Sequence, residues 1–232
     1  MRNRTDILCT RPLNPLLINE AKQAGIDIDE LSFIETGPIQ SIEIQQEIEQ
    51  AFLQTATVVF TSMNAVEAVA FYQETTQPDW KIYCIGTTTH KLVSNYFGEE
   101  KIAGAANDAT ELAELIVKDA TTGEVIFFCG DQRRDELPGI LRNSDIEVNE
   151  IVVYQTIVVP HKTSKAYHGM LFFSPSAVAG FFTHNKLPAT TILFAIGNTT
   201  ANEIKKHTTS KIVISDEPGK ENLVRTMMEY FA

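Results

Sequence analysis

Four short polar loops carry side chains able to receive an anion. Thr61-Ser62-Met63-Asn64 and Ser174-Pro175-Ser176 each follow an apolar run and open a helical pattern. Gly86-Thr87-Thr88-Thr89 and Gly197-Asn198-Thr199-Thr200 do the same one strand later. Hydroxyl and amide side chains at such turns either cap the free N–H groups of the first helical turn or, with those N–H groups and the helix dipole, hold a negatively charged ligand group. One such loop says little; four in matched register favour the ligand. The candidate binding residues are therefore Thr61, Ser62, Asn64, Gly86, Thr87, Thr89, Ser174, Ser176, Gly197, Thr199 and Thr200. No loop has the phosphate-binding G-x-x-x-x-G-K-[ST] form, and no G-x-G-x-x-G follows a strand, so carboxylates are a better match than nucleotides.

Cations and a phenol extend this set. Arg11 directly follows the first apolar run and can pair bidentately with a carboxylate. Arg133 and Arg134 are read as opening a helix over Arg134–Asn143, where a cation opposes the dipole, so at least one of them, taken as Arg134, is expected to face the ligand. Tyr154, in Val153-Tyr154-Gln155-Thr156, is either half-buried strand packing or a proton donor beside the site. Tyrosine phenols stay protonated at neutral pH and can donate. The five histidines form no H-E-x-x-H pair and the three cysteines show no metal spacing, so no metal site is expected. Cys9, Cys84 and Cys129 sit at the ends of apolar runs and read as buried small hydrophobes.

The elements that must position these residues alternate from end to end. Strand-like runs at Asp6–Thr10, Ile28–Ile34, Thr57–Phe60, Lys81–Ile85, Lys101–Ala103, Glu124–Cys129, Ile146–Val159, Met170–Phe173, Thr191–Ala195 and Lys211–Ile214 are interleaved with helical patterns of about ten residues. That alternation predicts mostly parallel sheets with helices on both faces, whose ligands lie beyond the carboxyl ends of the strands. The chain also repeats itself. Phe60-Thr-Ser-Met-Asn-Ala-Val66 resembles Phe173-Ser-Pro-Ser-Ala-Val178, and Tyr83-Cys-Ile-Gly-Thr-Thr-Thr89 resembles Phe194-Ala-Ile-Gly-Asn-Thr-Thr200. The expected fold is thus α/β: two similar flavodoxin-like domains joined by a two-stranded linker, with a cleft between them. Thr36-Gly37-Pro38 breaks the extended run before it. The first domain is expected over 1–34 plus 161–232, the second over 40–152, with linkers at 35–39 and 153–160.

Charge divides at the same places. The net charge is −11, and residues 34–160 hold 7 Lys+Arg against 20 Asp+Glu, the remainder 12 against 10. An acidic total disfavours nucleic acid and anionic membranes as partners. No apolar run approaches the roughly 20 residues of a membrane span, and Met1–Thr10 lacks a signal peptide's apolar core, so a cytoplasmic protein is expected. Nothing marks an oligomer interface; a monomer is the default. On the residues alone, a non-catalytic two-lobed anion-binding or sensor protein fits the same features, distinguished by the absence of turnover. A flavin-carrying electron carrier is a third reading, for which the stacking aromatics are missing.

Taken together, Thr10-Arg11-Pro12, Phe60–Val66, Ile85-Gly86 with Thr89, Gly130-Asp-Gln-Arg-Arg134 with Leu137 and Leu141, Val153–Thr156, Phe173–Val178 and Ile196–Thr200 resemble the uroporphyrinogen-III synthase family, in order and spacing over most of the chain. Asn143-Ser144-Asp145 departs from it, standing where a glycine often ends the preceding helix. The resemblance implies two α/β domains, the first split in sequence, and no metal or organic cofactor. It implies hydroxymethylbilane, a linear tetrapyrrole polycarboxylate, as substrate. Loss of its terminal hydroxyl as water gives an azafulvene, and attack by the last ring through its substituted carbon gives a spiro intermediate. That intermediate reopens and closes with the ring inverted. Positioning is then the main contribution such a protein makes. The four loops, Arg11 and Arg134 would hold carboxylates and Tyr154 would assist hydroxyl departure. The less acidic 1–34 and 161–232 would carry more of the polyanion.

Overall fold

A computed structural model describes residues 4–73, 77–119, 122–217 and 219–232. The chain opens with β1 (Thr5–Cys9), α1 (Pro15–Gln23) and β2 (Ile26–Glu30). It continues through β3 (Ile34–Pro38), α2 (Ile42–Phe52), β4 (Ala56–Phe60), α3 (Met63–Ala70), β5 (Trp80–Ile85), α4 (Thr87–Phe97), β6 (Ile102–Ala106), α5 (Ala109–Lys118), β7 (Glu124–Gly130) and α6 (Glu136–Asn143). β8 (Glu147–Val158) leads on to β9 (Gly169–Phe172), α7 (Pro175–His184), β10 (Ile192–Ala195), α8 (Asn198–Lys205), β11 (Ile212–Ile214) and α9 (Lys220–Phe231). Two compact units result: Met1–Glu35 with Ile157–Ala232, and Thr36–Thr156.

The first unit's sheet runs β2-β1-β9-β10-β11, with every neighbouring pair parallel. In the unit's own chain order this is 2-1-3-4-5, the doubly wound order of flavodoxin-like folds, whose switch point lies between strands 1 and 3. The second unit's sheet runs β8-β7-β4-β5-β6, also parallel, with β3 added outside β8. In chain order that core is 5-4-1-2-3, the same arrangement entered at a different strand. The switch point is here between β7 and β4.

Each sheet is packed on both faces, which is why its strands read as near-continuous apolar runs. In the second unit Val58, Phe60, Ile82, Ile126 and Phe128 face one cluster with α3 and α4, while Val59, Tyr83, Val125 and Phe127 face another with α5 and α6. The first unit divides likewise between α7 with α8 and α1 with α9. Cys9, Cys84 and Cys129 are free and buried; burial pushes the thiols of Cys84 and Cys129 up to about 11 and that of Cys9 to about 12. Among the described residues no helix is long and apolar enough to cross a membrane.

Several sequence expectations are corrected locally. Thr36-Gly37-Pro38 forms no break: it is the end of β3. Proline is tolerated there because β3 is the outermost strand. The hydrogen bonds Ile39 N–H to Val153 O (2.9 Å) and Val159 N–H to Phe33 O (2.9 Å) share one register sum and so define an antiparallel pairing with β8. The run Ile28–Ile34 is interrupted after Glu30, and Lys101–Ala103 gives way to β6 at Ile102–Ala106. The helix expected over Arg134–Asn143 starts at Glu136 with Asp135 before it. Arg133 and Arg134 therefore lie in the preceding turn, where Arg133 N–H donates to Gly130 O at 3.2 Å, and the opposition to the dipole does not arise. At the end of α6, Asp145 takes φ 59°. That left-handed position favours glycine, and aspartate is among the few other side chains that accept it.

Candidate active site

Parallel strands deliver all the candidate loops of a unit to one edge of its sheet. In the first unit Arg11 follows β1, Ser174 follows β9 and Gly197 follows β10. In the second unit Thr61 and Ser62 follow β4, Gly86 follows β5 and the Gly130 turn follows β7.

Both serine loops cap helices. Ser62 Oγ accepts from Asn64 N–H at 3.2 Å, and Ser174 Oγ accepts from Ala177 N–H at 3.2 Å. Ser174 Oγ also meets Ser176 Oγ at 3.1 Å. One lone pair of each cap is so occupied, which leaves the other N–H groups of that first turn to a ligand. Removing the Ser62 cap by Ser62→Ala is expected to cost about 1 kcal/mol, read as a lower urea midpoint. The glycine loops differ. Gly86 and Gly197 precede α4 and α8 without any side-chain cap, so their first-turn N–H groups are not answered by a capping side chain. Gly86 takes φ 80°, a conformation a larger residue would strain to adopt. Thr87 and Thr199 are exposed at these turns, whereas Thr89 and Thr200 turn inward, with 6% and 3% exposure.

Tyr154 is where Thr61, Ser62, Asn64 and Arg134 meet, whereas Gly86, Thr87 and Thr89 line neither of the two hollows beside it. A cavity of about 350 Å³ at the switch point is lined by Thr61, Ser62, Gly130, Arg133, Arg134 and Tyr154, and also by Asn107 and Asp108. A second hollow, of about 220 Å³, lies against Asn64, Ala68, Phe71, Gly37, Pro38 and the same Tyr154. The tyrosine thus forms a wall common to a cavity of mixed polar and apolar lining and a largely apolar hollow. The two arginines have different surroundings. Arg133 is bound by Glu150 and, at 2.7 Å, by Asp135; Glu150 also holds Arg142 at 2.5 Å. Arg134 is exposed at the cavity.

Two features were not anticipated from sequence. Asp108 caps α5 by accepting from Glu111 N–H at 2.8 Å, while Glu111 accepts from Asn107 N–H at 2.9 Å. This reciprocal cap forms a cavity wall, and its D-x-x-E spacing was the available signal. In the first unit Lys220 opens α9 within electrostatic reach of Arg11. Burial, then the Arg11 charge, hold its ammonium below the ordinary lysine range. A lysine directly after Gly219, at the unfavourable end of a helix dipole, was the signal there. Among the described residues no group of three His, Cys, Asp or Glu is placed to hold a metal ion.

The sequence model of the family described as uroporphyrinogen-III synthase HemD matches residues 17–225. Uroporphyrinogen-III synthase from Saccharomyces cerevisiae is 25% identical over 175 residues, a match spanning 64% of this chain and 64% of the yeast protein. Among solved structures, uroporphyrinogen-III synthetase from Helicobacter pylori superposes with a TM-score of 0.68 at 17% identity, covering 98% of this chain and 99% of the other. A mutant uroporphyrinogen III synthase from Thermus thermophilus gives 0.65 at 11% identity, covering 98% and 97%. At such identities the structural likeness speaks for the fold.

Proposed function

The chain belongs to the uroporphyrinogen-III synthase family, and we propose on that basis that it cyclises hydroxymethylbilane to uroporphyrinogen III with inversion of the last pyrrole ring and release of one water. The observation that carries the assignment of roles is the position of Tyr154, in the wall shared by a switch-point cavity that offers both apolar surface and the polar groups of Thr61, Ser62 and Arg134, and a largely apolar hollow beside α3. A pyrrole ring bearing carboxylate arms has the same two characters.

The hydroxyl of the terminal hydroxymethyl group is a poor leaving group until it is protonated. Tyr154 donates that proton as the C–O bond breaks, water departs, and the pyrrole nitrogen's electrons complete the azafulvene. The substituted carbon of the far ring then attacks the exocyclic carbon. The spiro intermediate opens at its other bond and recloses on the free position, and the last proton lost from that carbon restores aromaticity. Without an enzyme the linear tetrapyrrole closes uninverted, so the protein's contribution is to hold the far ring where the inverted path is shorter. The uncapped N–H groups at Gly86 and Gly197, the serine loops and the exposed Arg11 and Arg134 are the proposed carboxylate receivers.

The test is a product assay: the purified chain is given hydroxymethylbilane, products are oxidised, and type I and type III isomers are separated. Mainly type III supports the synthase. Type I alone from a folded protein would turn the assignment toward a two-lobed anion-binding protein. Arg134→Ala removes a charge-assisted bond of about 1.5–3 kcal/mol and is expected to raise KM roughly tenfold or more with kcat little changed. Raising salt from about 50 to about 500 mM should weaken wild-type binding and narrow the gap to the variant. A KM insensitive to both would remove Arg134 from the carboxylate receivers.

A further inference from the structure

We propose that Gly130 and Asp131 are positioning residues that together fix the direction of the Tyr154 hydroxyl; the proposal rests on the role given to that tyrosine. Three observations support it. A Cβ added at Gly130 would lie 2.6 Å from Tyr154 Cε2 and 2.7 Å from its hydroxyl oxygen, far inside van der Waals contact, so the phenol lies flat over a backbone that only glycine leaves bare. The next residue holds the strand at the tyrosine and two residues beyond it. Asp131 N–H donates to Tyr154 O at 3.1 Å, and Asp131 Oδ1 accepts from Thr156 N–H at 3.0 Å. Finally, the β7–β8 register slips here: Cys129 pairs with Val152 but Gly130 pairs with Tyr154. A slip of one residue redirects the side chains beyond it, and the Asp131 bonds lie directly past the slip. The glycine supplies room, the aspartate holds the redirected strand, and the ring has one place to lie.

The substituted chain is assayed for type III formation beside Tyr154→Phe, with Gly139→Ala, whose new methyl meets open space, as the control. Gly130→Ala displaces the phenol, and a misplacement of about 1 Å costs on the order of 10²-fold in kcat, with KM within about twofold of wild type. The double variant Gly130→Ala/Tyr154→Phe should be no slower than Tyr154→Phe alone, because a group already absent cannot be misplaced. Asp131→Asn keeps an acceptor for Thr156 N–H and should restore most of the turnover lost in Asp131→Ala. Multiplicative losses in the double variant, or wild-type kcat in Gly130→Ala while Tyr154→Phe is impaired, would overturn the proposal. Should Gly130→Ala fail to fold by thermal unfolding, the Asp131 pair decides: equal losses in both variants sink it and rescue by asparagine sustains it. Full activity in Tyr154→Phe would instead remove the tyrosine's own role.

Discussion

Tyr154→Phe is expected to reduce type III turnover by on the order of 10²-fold, the lower end of what a positioned acid contributes, and to leave a detectable rate. The residue is partly buried, packed against the cluster containing Phe60, Phe128 and Val153, so phenylalanine keeps the ring and loses only the oxygen. Unfolding should be little changed for that reason. The remaining rate reflects a substrate already able to lose its hydroxyl, which the protein still holds. KM should stay near wild type, because the carboxylate receivers are untouched, and a slower azafulvene step gives spontaneous closure more time, raising the type I fraction. Steady-state kinetics with isomer separation checks both. Wild-type kcat with a wild-type isomer ratio would remove the tyrosine from the chemistry.

Phe60→Ala is expected to destabilise the second unit by about 3–5 kcal/mol, a large part of the roughly 5–15 kcal/mol typical of a folded domain. Phe60 is fully buried and stacks between Phe97 (5.8 Å, 10° between planes) and Phe128 (5.5 Å, 19°). Neighbours on several strands and helices cannot all collapse into the vacated space, so both transfer energy and cavity cost are lost. The same residue ends β4 immediately before Thr61 and Ser62, which links core packing to placement of the loop. Trp80 is the only tryptophan and lies in the same cluster, 5.8 Å from the Phe128 ring. Its fluorescence in urea therefore reports this unit, and an unchanged midpoint would contradict the packing described.

Local periodicity and repetition make the architecture legible in the sequence. Apolar runs of about five residues between helical patterns specify sheets covered on both faces, and β4 and β7 are two such runs. The likeness of Phe60–Val66 to Phe173–Val178 points to two units of one design. Ser62 and Ser174 are recognisable as strand-to-helix residues because a cap is a property of a few neighbouring residues. Asp145, which ends α6 in the left-handed region, is one of the few side chain types that region accepts, so the residue type agrees with the local backbone.

What stays hidden in the sequence depends on which strands are neighbours. The permuted order β8-β7-β4-β5-β6 places the turn after Gly130 beside the loop at Ser62, although more than sixty residues separate them in the chain. Arg133 and Arg134 are adjacent and chemically alike; only the nearness of Glu150 on β8 binds the first and leaves the second exposed at the cavity. Sequence alone determined the alternation of strands and helices, the loops between them and the residue types offered to a ligand, because these follow from short-range pattern and propensity. Tertiary structure alone decided that Arg133 is tied up by Glu150, where the phenol points and why residue 130 is glycine, because a strand's register and a one-residue slip are settled by pairing across the sheet.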